Sequence, residues 1–226
     1  MLSYARGPET PLLTDTIYQA FAKTVERVPR KTALIVRHQS VRLTFEQLAA
    51  EVERTARGLA GLGLRCGDRA GVWSTNCVEW VLLHLACARL GVVLVNVNPA
   101  YRAHELSYIL RKSRMRALFL WEKDARSNYR SILEEARAGQ ATQLEHVVYC
   151  GTNGWTSMIS NGADIPVAEI SPDDVTNIQY TSGTTGSPKG VLLTHRNLLN
   201  NAGVIRSGMR LDEKDLIGRA SCRERV

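Results

Sequence analysis

With 226 residues, 44% of them hydrophobic and 23% charged, the chain is ordinary globular material, long enough to bury one good core. Its net charge of +7 is dispersed: the basic run from Leu110 through Arg111, Lys112, Arg114 and Arg116 reads as a solvated helix end, no nucleic-acid recognition motif accompanies it, and an anionic small molecule is partner enough for a mild positive potential. Five cysteines, Cys66, Cys77, Cys87, Cys150 and Cys222, show no Cys-x-x-Cys pair and no metal spacing with the five histidines, which points to reduced thiols and a cytoplasmic location.

Residues 1–8 hold no apolar core of the kind a secretory signal needs. Leu13, Ile17, Phe21 and Val25 lie on one helical stripe, ended by Pro29. Residues 32–37 and 41–44 read as two strands of a hairpin around Gln39 and Ser40. Thr44 and Gln47 make a capping box opening a helix with Leu48, Val52, Ala56 and Leu59 on its apolar face, and Gly61, Leu62 and Gly63 stop it. Gly61, Gly63 and Gly67 sit near the spacing of a dinucleotide fingerprint, but they follow a helix rather than a strand and Cys66 takes the third glycine's place, so helix termination is the reading.

From Arg69 onward the chain alternates. Residues 70–73 read as strand, 77–90 as a helix capped by Asn76, and 92–95 as an apolar strand buried on both faces. The most hydrophobic stretch, 80–97, contains His84, Arg89, Gly91 and Asn96 and falls short of the roughly 20 apolar residues that span a bilayer. His84, within that helix, reads as a satisfied core or groove histidine. Residues 104–112 then read as helix, 117–120 as strand, 126–138 as helix and 146–149 as strand. Such βαβ alternation calls for an α/β fold, a mostly parallel sheet with helices on both faces. Residues 151–164 are a loop with one helical turn at 155–159, and strands at 175–180 and 191–194 precede a helix at 196–207 capped by Thr194, with His195 packing at its start.

Between those last two strands stands Thr181, Ser182, Gly183, Thr184, Thr185, Gly186, Ser187, Pro188, Lys189. Glycines allow positive φ, so successive N–H groups can turn inward around an anion. The hydroxyls of Thr181, Ser182, Thr184 and Thr185 add neutral donors, Lys189 adds a point charge, and Pro188 stiffens the exit. Composition alone leaves two readings open, a hairpin turn with a solvated lysine and a phosphate cradle. A Walker A loop fails, because Pro188 stands in the second glycine's place and Gly190 follows the lysine. A hydrolase reading of Ser182 lacks the Gly-x-Ser-x-Gly elbow.

The whole string from Tyr180 to Val191 resembles the signature phosphate loop of the adenylate-forming (AMP-binding) superfamily, which includes acyl-CoA synthetases, luciferases and peptide-synthetase adenylation domains. The resemblance extends to Leu43, Thr44, Phe45, Glu46, Gln47, Leu48; to Asn98, Pro99, Ala100, Tyr101, Arg102 with Glu105 and Leu106; and to Thr194, His195, Arg196, Asn197, Leu198. It covers residues 12–215, and the Asn98 to Arg102 wording is most similar to fatty-acyl-CoA synthetases. What it implies is the N-terminal portion of the large adenylate-forming domain, over residues 1–216. The implied activity is attack of a carboxylate on the α-phosphate of ATP, releasing pyrophosphate, then transfer of the acyl group to CoA. Residues 181–189 would bind the ATP phosphates, with Thr181 beside Mg²⁺. No general base is required, since a carboxylic acid of pKa about 4.3 is already ionised at neutral pH. The family's Tyr-Gly-x-Thr-Glu motif, its ribose-binding aspartate and its C-terminal lysine have no counterpart in these residues, so the chain by itself is expected to be inactive. Activation of amino or aryl acids and a non-catalytic phosphate-binding module remain the alternatives.

Residues 217–226, from Ile217 through Arg219, Cys222 and Arg225 to Val226, lack the apolar periodicity before them and resemble a translated sequencing-adapter frame. They are expected to be non-native, which resequencing the locus across Leu216 checks.

Overall fold

The computed structural model describes residues 11–138, 142–181, 188–212, 214, 215 and 217; the predicted loop residues 182–187 and the tail 218–226 lie outside them. Helix α1 (Ile17–Arg27) is opened by Thr16, whose hydroxyl accepts from the Gln19 N–H while the Gln19 side chain accepts from the Thr16 N–H. That cap excludes Leu13 from the helix; Leu13 is exposed, and both its backbone groups bond Asn200. Strands β1 (Thr32–Val36) and β2 (Val41–Thr44) pair antiparallel across a 3-10 turn, Arg37–Gln39, with Ser40 left-handed at φ 54°. Helix α2 (Phe45–Gly61) carries the expected Thr44 and Gln47 capping box and buries Leu48, Val52, Ala56 and Leu59.

The main sheet uses β3 (Arg69–Trp73), β4 (Val93–Asn96), β5 (Ala117–Leu120), β6 (His146–Tyr149), β7 (Val175–Thr181) and β8 (Lys189–Thr194) in the order β6-β5-β3-β4-β7-β8. All neighbours are parallel except β7 and β8. Connecting the strands are α3 (Val78–Leu90), α4 (Ala103–Ser113), α5 (Tyr129–Arg137) and α6 (Asn153–Ser160), and α7 (His195–Gly208) follows β8. Alternation along each strand builds two cores. Ala70, Val72, Leu94, Ala117 and Phe119 pack with α2, α3 and α6 on one face. Trp73, Val93, Val95, Leu118 and Leu120 pack with α4 and α5 on the other. The sheet is therefore helix-covered on both sides, as the βαβ pattern requires.

Four local expectations are corrected. Asn76 does not cap α3; Cys77 holds the N-cap position without a side-chain bond, and the Val78 N–H is taken by the Gln39 side-chain oxygen Oε1 at 2.7 Å. Helix α5 starts three residues late because the Asp124 carboxylate accepts from the Arg126 and Ser127 N–H groups and from the Tyr129 hydroxyl, leaving Asn128 as the cap. Helix α6 runs eight residues rather than one turn, capped by Thr152 and anchored by buried Trp155 and Met158. The last strand begins at Lys189, two residues before its apolar run. Helix α3 ends as its sequence demands, with Gly91 at φ 76° donating to Cys87.

Candidate functional site

Val175, Thr176, Ile178 and Tyr180 make β7 a β-branched and aromatic strand, and its Leu94 to Asn177 register with β4 places Thr181 at the carboxyl edge of the parallel sheet. Open α/β sheets bind ligands at that edge. The chain returns antiparallel, with Thr181 opposite Lys189 and Tyr180 opposite Gly190. The segment between them joins the two strands of a hairpin, and at seven residues, 182–188, it is longer than a tight hairpin turn needs. Directly opposed residues share a face, so the exposed Thr181 and Lys189 stand side by side at the mouth of the turn. Tyr180 and Gly190 occupy the other face, where a Cβ on Gly190 would lie 3.3 Å from the Tyr180 ring. Of the predicted phosphate-binding residues, the structure thus brings together Thr181, Pro188 and Lys189. Ser182, Gly183, Thr184, Thr185, Gly186 and Ser187 lie outside the described residues.

Two neighbouring elements reach the same edge. After β4, Asn98 makes a turn in which its side chain accepts from the Ala100 N–H and its carbonyl accepts from both the Tyr101 N–H and the Trp73 indole. Arg102 then bonds Ser127 through its guanidinium and Glu105 through its N–H, which starts α4. From α4 the Tyr108 hydroxyl donates to the Pro188 carbonyl at 3.1 Å. Tyr101, Tyr108 and Tyr180 all pack against the α4 core, and burial raises the pKa of Tyr101 and Tyr180. Tyr108 was missed by sequence reasoning. Its one signal is an aromatic with a polar tip beside the buried stripe of Leu106, Ile109 and Leu110.

Behind β8, Thr194 and Asn197 form the capping box of α7. His195 is 1% exposed, and its Nδ1 accepts from the Ile17 N–H at 3.3 Å. Burial depresses its pKa to about 4, so it is neutral and joins α7 to α1 rather than facing the loop. His84 stacks on Trp80 with ring centroids 5.6 Å apart, but its Nδ1 is buried without a partner among the described residues, so it is not the satisfied histidine expected. Burial lowers its pKa. Arg196 forks onto Asp173 at 2.6 and 2.8 Å and holds that carboxyl below the usual range.

Among the described residues no group of three His, Cys, Asp or Glu side chains is placed to hold a metal. Among the described residues the site offers one hydroxyl, one ammonium and backbone. That suits Mg²⁺ arriving with polyphosphate, which supplies most of its oxygens, better than a resident ion. Cys77, Cys87 and Cys150 are buried free thiols with pKa values raised by burial, and Cys66 is exposed. No helix among the described residues is long and apolar enough to cross a membrane. Depressions of about 260 Å³ beside Arg111 and Arg114, and of about 310 Å³ between α2 and α6, include neither Thr181 nor Lys189.

The family model for AMP-binding enzymes matches residues 21–218. The chain belongs to the AMP-binding enzyme family. Across 94% of its length it is 37% identical to the human protein named medium-chain acyl-CoA ligase ACSF2, mitochondrial, covering 39% of that relative. It is 34% identical to the putative acyl-CoA synthetase YngI of Bacillus subtilis, covering 42% of it. Among solved structures, the long-chain-fatty-acid-CoA ligase FadD1 of Archaeoglobus fulgidus superposes with a TM-score of 0.78 at 28% identity, over 93% of this chain and 43% of that one. The anthranilate CoA ligase AuaEII with anthranoyl-AMP gives 0.74 at 26%, over 86% and 36%. The chain thus spans about two fifths of the length of the relatives it matches.

Proposed function

We propose that the full-length protein is an ATP-dependent carboxylate:CoA ligase acting on fatty acids, and that this chain supplies the phosphate-binding part of its adenylation domain. The observation that carries the reading is the pairing of Thr181 with Lys189 across the mouth of the β7–β8 turn, within the family's loop string and at the sheet's carboxyl edge. Lys189 and the hydroxyls of residues 181–185 hold the β- and γ-phosphates of ATP, leaving the α-phosphate open to an ionised acid. Thr181 contributes one oxygen toward Mg²⁺, which when bound neutralises phosphate charge. Catalysis is then positioning and charge neutralisation rather than proton transfer. CoA takes the acyl group in the second half-reaction.

Support for the acyl-CoA class comes from the names of the relatives at 34–37% identity. Activation of an aryl acid is the second reading, favoured by the likeness to AuaEII. Reduced, buried thiols fit a reducing compartment, with the cytoplasm as the proposal and the mitochondrion, named for the human relative, as its competitor. The chain alone is proposed to be inactive. The test is acid-dependent ATP–pyrophosphate exchange by the full-length protein across fatty, aryl and amino acids, with and without Lys189→Ala. Exchange with fatty acids, and a rise of tenfold or more in the ATP requirement of the variant, are expected. No exchange with any acid, or unchanged kinetics in Lys189→Ala, refutes the reading.

A further inference from the structure

Tyr108 lies 80 residues before Pro188 in sequence and on a different element, yet its hydroxyl donates to the Pro188 carbonyl at 3.1 Å. We propose that Tyr108 is a positioning residue for the nucleotide: it fixes the peptide plane between Pro188 and Lys189, and so the direction in which Lys189 leaves the sheet. The proposal rests on the phosphate-binding role given above to the β7–β8 turn.

The peptide group is rigid, so the Pro188 carbonyl and the Lys189 N–H turn together. The ladder already holds Lys189 opposite Thr181. Beyond that last rung a strand end frays unless something else restrains it, and Pro188 has no N–H with which to add one. The Tyr108 hydroxyl supplies that restraint from the face opposite Lys189. Tyr180 and Tyr108 pack with the α4 core, while Thr181 and Lys189, by alternation, project to the other side. Gly190 keeps room on the tyrosine face, since a Cβ there would crowd both Tyr180 and Ile178 at 3.3 Å. Helix α4, carrying Tyr108, is itself set by the turn at Asn98, whose carbonyl is held by Trp73, and by the Arg102 bonds to Glu105 and Ser127. The Asn98 to Arg102 segment is thereby tied to the exit of the β7–β8 turn through the Tyr108 hydroxyl.

The test uses the full-length enzyme carrying Tyr108→Phe, which keeps the ring in its core and removes only the donor. Wild-type enzyme must first show acid-dependent pyrophosphate exchange; if it shows none, the functional reading fails and the positioning role falls with it. Given exchange, the expected result is a rise of about fivefold in KM for ATP, with KM for the acid and for CoA unchanged and Tm within a degree or two. That is the size of one lost hydrogen bond, about 1 kcal/mol. A merely structural bond would lower Tm or shift all three KM values together. Either of those results, or an unchanged KM for ATP in an active enzyme, overturns the proposal while leaving the ligase reading in place. A Tyr108→Phe protein too unstable to assay counts as a lowered Tm and overturns the proposal in the same way.

Discussion

Acidification should loosen the contact between α1 and α7 through one residue, His195. Its Nδ1 accepts from the Ile17 N–H, so the ring is neutral there, and a proton on Nδ1 both breaks that bond and charges a side chain only 1% exposed. The folded pKa of about 4 lies below the ordinary histidine value of 6.5, so between these values the unfolded chain binds a proton that the folded chain excludes. Stability from this group is complete above about pH 6.5 and is lost as pH falls toward 4. At 1.36 kcal/mol per pKa unit, moving from pH 7 to 4.5 removes about 2 kcal/mol. With an m-value of about 2 kcal/mol per molar urea, that is a fall of about 1 M in midpoint. Asp173, held low by Arg196, stays ionised in the folded chain through this range, but carboxylates of the unfolded chain begin to bind protons at its lower end. The measurement is therefore a difference: urea unfolding of the chain and of His195→Gln at both pH values, followed by circular dichroism. Gln offers an acceptor but no titration, so the chain should lose about 1 M more midpoint than the variant. Equal losses in the two proteins would refute the reasoning.

Two further substitutions probe how the sheet is held. Gln39→Ala removes the acceptor of the Val78 N–H and the donor to Glu79, which is 5% exposed; it should cost about 2–3 kcal/mol, and a urea midpoint within 0.2 M of the original would show that water replaces both bonds. Gly71→Val on the central strand β3 would put a Cβ 2.4 Å from the Met115 sulfur and 2.9 Å from Leu118, so overpacking of about 1–3 kcal/mol should lower Tm by several degrees. An unchanged Tm would mean that the Met115 side chain simply moves aside.

Periodicity made most of this fold legible because its driving force is local in pattern. Leu48, Val52, Ala56 and Leu59 recur at helical spacing, and the Ala117 to Leu120 run is apolar throughout because both faces of β5 are covered. The antiparallel return of β8 was also readable, since residues 182–188 are too few for the crossover that parallel strands require. What pattern missed were bonds between residues far apart in sequence. The cap of α3 comes from Gln39, 39 residues upstream, so the nearby Asn76 was a natural but mistaken choice. The late start of α5 reflects a carboxylate, Asp124, outcompeting the helix for N–H groups. Within the site, residue types named Thr181 and Lys189, but nothing in their neighbourhood named Tyr108, whose role exists only once α4 lies against the loop's exit.

The arrangement of the loop has an energetic logic of its own. A flexible segment that closes around an anion loses about 1–2 kcal/mol of backbone entropy per residue ordered, which subtracts directly from affinity. Here the entry strand is ordered by β4 and β8 through Thr181, and the exit is ordered by the same ladder from Lys189 together with the Tyr108 bond at Pro188. For the proposed phosphate-binding role, stems fixed in advance add nothing to the ordering cost of binding. The antiparallel β8 serves the proposed role better than a parallel strand would: it brings the backbone of Lys189 back opposite that of Thr181, so the two side chains leave the sheet from adjacent positions on one face.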